Sequence, residues 1–230
     1  MLLADLFSYI STLDSSSINI GGDDNGDIAS NHYPKVINAI NLAMIDLYTE
    51  FPVKVRGMTI QLYSHITEYY LDSDYAATNT ESTEVYKYIT DTANNPFTDD
   101  VIHIVTAFNE EGEEFYLDNE EESLSLYTPS YNILQHPYPS SENAVFLTYK
   151  ALPTKIPTNS DVDTYKVGLP RQLLNLLLVY VNYKLLSSVN KEESMAKLNE
   201  YLSLVAKAKT NGLFLSDEAA NTKIEDLKWE

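Results

Sequence analysis

Three groups of side chains in this sequence are of types that do chemistry. Asp23, Asn25 and Asp27 alternate as the ligands of a calcium loop do. Gly26 is out of place for such a loop, however, and Pro34 holds the twelfth position, where a bidentate acid belongs. A solvated turn is expected there. His32, His65, His103 and His136 are scattered, and no two have metal-ligand spacing. The glutamates fall in runs: Glu110, Glu111, Glu113 and Glu114, then Glu120, Glu121 and Glu122. Acid–base catalysis needs a few carboxylates in contrasting, partly desolvated settings. Adjacent acids form a solvated face instead. The chain has no cysteine, which excludes disulfides, thiolate metal ligands and cysteine nucleophiles. Serine elbows, phosphate-cradling glycine loops and zincin helices are all missing. The expectation is a protein with no catalytic residues, no metal and no cofactor.

Charge narrows the partners. The 230 residues carry a formal net charge of −19, which opposes binding to phosphates or to anionic membranes. From Asp99 to Glu122 there are ten acids and no Lys or Arg, whereas residues 167–211 hold six bases and three acids. Tyrosine is abundant, at 18 residues, and Tyr127, Tyr131 and Tyr138 cluster between Leu126 and Pro139. Tyr is enriched at interfaces, so this segment is either a contact loop or one that packs on its own sheet. The start of the sequence has no basic leader, and the apolar stretch Leu173 to Leu186 is too short to span a bilayer. A soluble protein is expected.

These groups must be carried by regular elements. Leu2, Leu6, Ile10 and Leu13 have helical spacing, and a Ser/Asn/Asp/Gly loop follows to His32. Pro34 opens a second helix with Val36, Ile40, Ala43, Leu47 and Phe51 on one face; Pro52 ends it. Between residues 52 and 166 the pattern turns to short β runs with prolines in the loops. Helix resumes at Pro170 with Leu173, Leu177, Val181 and Leu185, apolar nearly all round. Asn190 and Glu193 form a capping pair for a last helix, with a seam at Met195, Leu198, Leu202 and Val205. Asn211-Gly212 stops it, and a mixed tail carries Phe214, Leu215, Ile224, Leu227 and Trp229. This order predicts an α+β fold: a four-helix bundle (1–51 and 167–211), a small antiparallel β domain (52–166) inserted between helices 2 and 3, and an extended C-terminal tail (212–230).

The layout resembles the head-to-tail adaptor, or connector, family of podoviruses (tail tubular protein A), with similar ring proteins in crAss-like phages. The likeness is carried by Asn38–Phe51 as a second helix, by Thr67–Asp72 ending in a Tyr-Leu step, and by Tyr127–Tyr131 followed by Phe146–Ala151. Leu169–Leu173 at the third helix and Lys228-Trp229-Glu230 at the tail complete it. The long Gly/Asp-rich loop after the first helix and the acidity of the β insertion depart from the family's texture. The resemblance implies a virion protein without catalytic residues, forming a dodecameric ring between the portal protein and the tail or nozzle. DNA would pass through it without specific binding. Phe214, Leu215, Ile224, Leu227 and Trp229 would then dock on the portal, and Tyr127, Tyr131 and Tyr138 would touch the tail. The seven glutamates would line the channel or its rim. A β-rich recognition or adhesin-like module is the alternative reading, and an acidic hydrolase a weaker third.

Overall fold

A computed structural model describes residues 1–12, 20, 28–122, 124–140 and 143–212. It divides into two compact units, residues 1–53 with 153–230 and residues 54–152. The first contains α1 (Leu3–Ser11), α2 (Tyr33–Glu50), α3 (Leu174–Leu186) and α4 (Lys191–Thr210). The second contains β1 (Val55–Gln61), β2 (Glu68–Tyr70), β3 (Ile89–Thr90), β4 (Val101–Phe108), β5 (Glu114–Phe115), β6 (Tyr127–Ser130), β7 (Ile133–Gln135) and β8 (Ala144–Ala151).

In the helical unit α3 is the centre. Its mostly apolar surface buries Leu176, Leu177, Val181, Leu185 and Leu186, and α1, α2 and α4 all pack against it. Burying each of these side chains contributes about 1.5–3 kcal/mol relative to exposure. Asn182, also on α3, is buried, and its side-chain oxygen has no hydrogen-bond partner among the described residues. The α3–α4 corner is set by Asn190, whose side-chain oxygen accepts the Glu193 N–H while its amide donates to the Glu193 carboxylate. The first bond is the N-cap the sequence announces; the Asn190 main-chain N–H donates to Leu186 O rather than to the Glu193 carboxylate.

The expected four-helix bundle around a small β domain is overturned. α1 is only 9 residues long, and the chain at 162–167 holds it by main-chain bonds. Leu3 N–H donates to Tyr165 O, Ala4 N–H to Val162 O, and Val167 N–H to Met1 O. Asn41 on α2 fastens the same connection through both bonds of its amide to the Ile156 main chain. Residues 153–166 therefore cluster with the helices rather than with the strands. The β part, meanwhile, has two antiparallel sheets, one ordered β3-β1-β8-β4-β5 and one ordered β2-β7-β6.

The two sheets share a core of Met58, Ile60, Tyr69, Tyr88, Ile104, Leu134, Val145, Leu147 and Tyr149. Two of its tyrosines replace ladder bonds. The buried Tyr69 hydroxyl accepts from Tyr63 N–H (2.9 Å) and donates to Tyr63 O (3.2 Å). Tyr88 does the same to the main chain of Tyr70. Desolvation in the core pushes the Tyr88 hydroxyl far above its ordinary pKa, so at neutral pH it stays a donor. The abundance of tyrosine thus has a partly structural cause: each ring fills core volume while its hydroxyl satisfies a buried main chain.

Candidate functional site

The acidic stretch is built on the outer edge of the five-stranded sheet, where β5 pairs with β4 on one side. Asn109 shapes the β4–β5 turn. Its side-chain oxygen accepts the N–H groups of Glu111 and Glu113, and its own N–H donates to Glu113 O. Gly112 supplies the left-handed residue of the turn, at φ 84°. Glu110, Glu111, Glu113 and Glu114 stand exposed on and beside this turn. A second turn follows β5: Asn119 accepts the Glu121 N–H, and Glu120, Glu121 and Glu122 are exposed. No Lys or Arg pairs with any of these seven carboxylates among the described residues. They are spread along a sheet edge and two turns, and no group of His, Asp and Glu among the described residues could hold a metal ion.

The aspartates of the same stretch do something different. Asp118, at φ 53°, clamps Thr128 by accepting both its N–H (2.7 Å) and its hydroxyl. Asp99, at φ 55°, clamps Ser73 in the same way. Asp91, just outside the stretch, clamps Thr78 and also accepts the Phe97 N–H (3.0 Å). Asp100 is buried. It accepts from Lys54 Nζ, Arg56 Nη1 and the Tyr149 hydroxyl, each at 3.0 Å. Burial raises the pKa of Asp100, but the hydrogen bonds of Lys54 and Arg56 outweigh it and hold the carboxyl below its ordinary value. The sequence reading missed this cluster, because its members lie 44 to 49 residues apart. The signal available was Lys54 and Arg56, two cations at strand spacing beside a core-facing aromatic strand.

The three tyrosines read as one contact loop are not brought together. Tyr127 is half-buried in β6, opposite Gln135. Tyr131 sits at the β6–β7 turn and is 63% exposed; Tyr138 lies beyond the far end of β7 and is 77% exposed. Tyr131 thus occupies one end of the hairpin and Tyr138 the other. A separate aromatic patch, unforeseen from the sequence, joins Tyr63, His65 and Tyr86, with Tyr86 centred 5.0 Å from Tyr63 and 4.7 Å from His65.

The histidines are dispersed. His103 is exposed on β4, and His32 belongs to the helical unit. His136 is half-buried beside Phe115, and its Nδ1 accepts the Tyr138 N–H at 3.2 Å. Burial pushes its pKa below the ordinary 6.5, so the folded imidazole stays neutral where an unfolded one takes a proton. In that window the unfolded state binds the extra proton. Stability is therefore full above about pH 6.5, falls as pH drops below it, and levels off below the folded pKa. Urea unfolding between about pH 7 and pH 5 should show this decline. His136→Asn should remove part of it, and an unchanged slope would count against the assignment.

Asp23, Asn25 and Asp27, and the tail residues Phe214, Leu215, Ile224, Leu227 and Trp229, lie outside the described residues. No helix among the described residues is long and apolar enough to cross a membrane. No protein-family model matches the chain, and comparison with curated proteins finds no similar one.

Proposed function

We propose that this chain is a structural virion protein: a ring-forming head-to-tail adaptor joining the portal to the tail of a short-tailed phage, with the DNA channel through its middle. The observation that carries this reading is the acidic edge. Seven exposed glutamates flank β5, and among the described residues no cation pairs with them. Such a surface repels phosphate at short range, which suits a conduit through which DNA must slide without adhering. The resemblance in element order points the same way. In this role the protein has no catalytic residues, and its partners are further copies of itself, the portal and the tail or nozzle.

Negative-stain imaging of the purified full-length protein, alone and mixed with portal rings, tests the proposal. Closed rings that stack coaxially on the portal are expected. Particles that stay monomeric and do not join the portal would overturn it. The patch of Tyr63, His65 and Tyr86, in which His65 and Tyr86 are exposed and Tyr63 is half-buried, favours a second reading, a recognition module that stacks a ligand on its rings. Saturable glycan binding by a monomer would select that reading instead.

A further inference from the structure

The helical unit has two surfaces that no part of its own described structure covers. A 20-residue surface helix ordinarily turns charged residues to water. α4 does so with Lys191, Glu192, Glu200, Lys207 and Lys209, but one exposed stripe along its side, Met195, Asn199, Leu202 and Ala206, is uncharged, with Met195 and Leu202 at 54% and 55% exposure. The inward face of the helix is formed by Ser194, Tyr201 and Val205. Of the seam expected from the sequence, Val205 therefore points in, while Met195 and Leu202 point out. On α2 the outward stripe is Asn38, Leu42, Ile45 and Thr49, again exposed and uncharged, with Leu42 and Ile45 at 48% and 45%. The Thr49 hydroxyl already donates to Ile45 O (2.9 Å), so this polar group can be covered without losing its bond.

The two stripes match in spacing. Each begins with a charge and then steps by three, four, three and four residues, from Lys35 on α2 and from Glu192 on α4. Aligned in parallel, Lys35 falls opposite Glu192, Ile45 opposite Leu202 and Thr49 opposite Ala206. An antiparallel alignment of the same five positions would put Lys35 opposite Ala206 and Thr49 opposite Glu192, and so lose the Lys35–Glu192 pair. The direction follows separately from the fold. Within one chain Asp46 accepts from the Tyr201 hydroxyl, and Glu50 pairs with Lys209, so α2 and α4 run the same way. Rotation about an axis along these helices keeps that direction in every copy, so α4 of one copy also meets α2 of the next in parallel. A two-fold axis across the helices would make them antiparallel.

We infer that the occupant of both stripes is a second copy of this chain: the α4 stripe of each copy packs in parallel against the α2 stripe of its neighbour. The contact joins two different surfaces of the same unit, and such head-to-tail contacts build rings when the rotation closes. Small residues beside the seam, Ala196 and Ser203, allow close helix approach. This inference deepens the ring reading and rests on it.

The natural absence of cysteine makes the test direct. Ile45→Cys and Leu202→Cys are made separately in the full-length protein, then oxidised alone and mixed. A disulfide-linked pair that forms in the mixture and in neither variant alone is the expected result. A homodimer of either variant alone would show a two-fold contact and overturn the inference. No cross-link in the mixture, while rings are still imaged, would overturn it and leave the ring reading standing; this is also the outcome if residues 213–230 of the same chain cover the stripe. A cross-link in the mixture without rings would support the paired stripes and count against the ring. A second variant, Leu202→Glu, should keep the circular dichroism of the native protein while raising the concentration needed for assembly on the order of tenfold or more. Unchanged assembly of that variant would also overturn the inference.

Discussion

Replacing Asp100 with alanine should destabilise the β unit by about 3 kcal/mol or more, the cost typical of breaking a buried charge cluster from one side. The carboxylate is 10% exposed and neutralises two cations, Lys54 at 33% and Arg56 at 17% exposure. Removing it leaves both without their counter-charge, the less exposed Arg56 above all, and the Tyr149 hydroxyl loses its acceptor inside the core. Adding Arg56→Met to Asp100→Ala should recover part of the loss, because the stranded cation is then gone. The acid limb of stability should change as well. The folded pKa of Asp100 lies below its ordinary 3.8. The wild type therefore gains stability from it above that value and loses the gain as pH falls toward the folded pKa. The alanine variant should lack this component. Urea unfolding followed by circular dichroism, at neutral and at acid pH, measures both effects. A loss under about 1 kcal/mol with an unchanged acid limb would mean that the cluster is a surface pair in effect, however buried its geometry.

The parts of this protein that were legible in its sequence were those set by local chemistry. Helix starts and stops could be read because Pro34, Pro52, Asn190 and Gly212 act within one turn of themselves. The Asn190 cap and the left-handed Gly212, at φ 62°, are where those signals put them. The β architecture was not legible, because β1 finds its partner β8 across most of the insertion and β2 pairs with β7 over a shorter but still long-range span. Two-residue and three-residue strands such as β3 and β2 carry too few alternations to register as periodicity. The bundle was over-read for a related reason: apolar spacing says that a helix has a buried face, not what covers it. α1 buries Leu3, Leu6, Phe7 and Ile10, yet its N-terminal end is tied to the 162–167 segment.

The acidic stretch shows where composition stops being informative. Its ten acids looked alike in sequence, but the fold sorts them by side-chain length. Asp99 and Asp118 are short enough to fold back on a nearby Ser or Thr, and Asp100 to enter a strand-borne cation pair, whereas the longer glutamates project from turns into water. The stretch thus holds three structural acids and seven that are free to act on an outside charge.

Those glutamates carry the prediction with the largest functional effect. Changing Glu110, Glu111, Glu113 and Glu114 to lysine should give a protein that retains duplex DNA in a strongly salt-dependent way, where the wild type is expected to retain none. The fold should tolerate it: Asn109, which shapes the turn, is untouched, and its bonds to residues 111 and 113 are to their main-chain N–H groups. Among the described residues the one side-chain bond lost is that from the Asn109 amide to the Glu113 carboxylate. If all four lysines reach phosphates, the logarithm of affinity should fall against the logarithm of salt with a slope of roughly −3 to −4, about −0.9 for each contact. In a ring the same four residues recur in every copy, so retention should be stronger in assembled protein than in the isolated chain. Glutamine at the same four positions separates two causes. If the edge acts by repulsion alone, the glutamine variant loses the repulsion without gaining attraction and should hold DNA only weakly. Electrophoretic retardation across a salt series, with ejection or translocation through assembled rings as the functional readout, would decide. Tight duplex binding by the wild type at physiological salt would refute the repulsive role. So would a lysine variant with no retention, since it would place the β5 edge out of reach of any passing strand. The range of the effect also fits a conduit. At physiological ionic strength the field of these carboxylates decays over about 8 Å, so in the proposed ring they would hold phosphates off the wall without opposing passage along the axis.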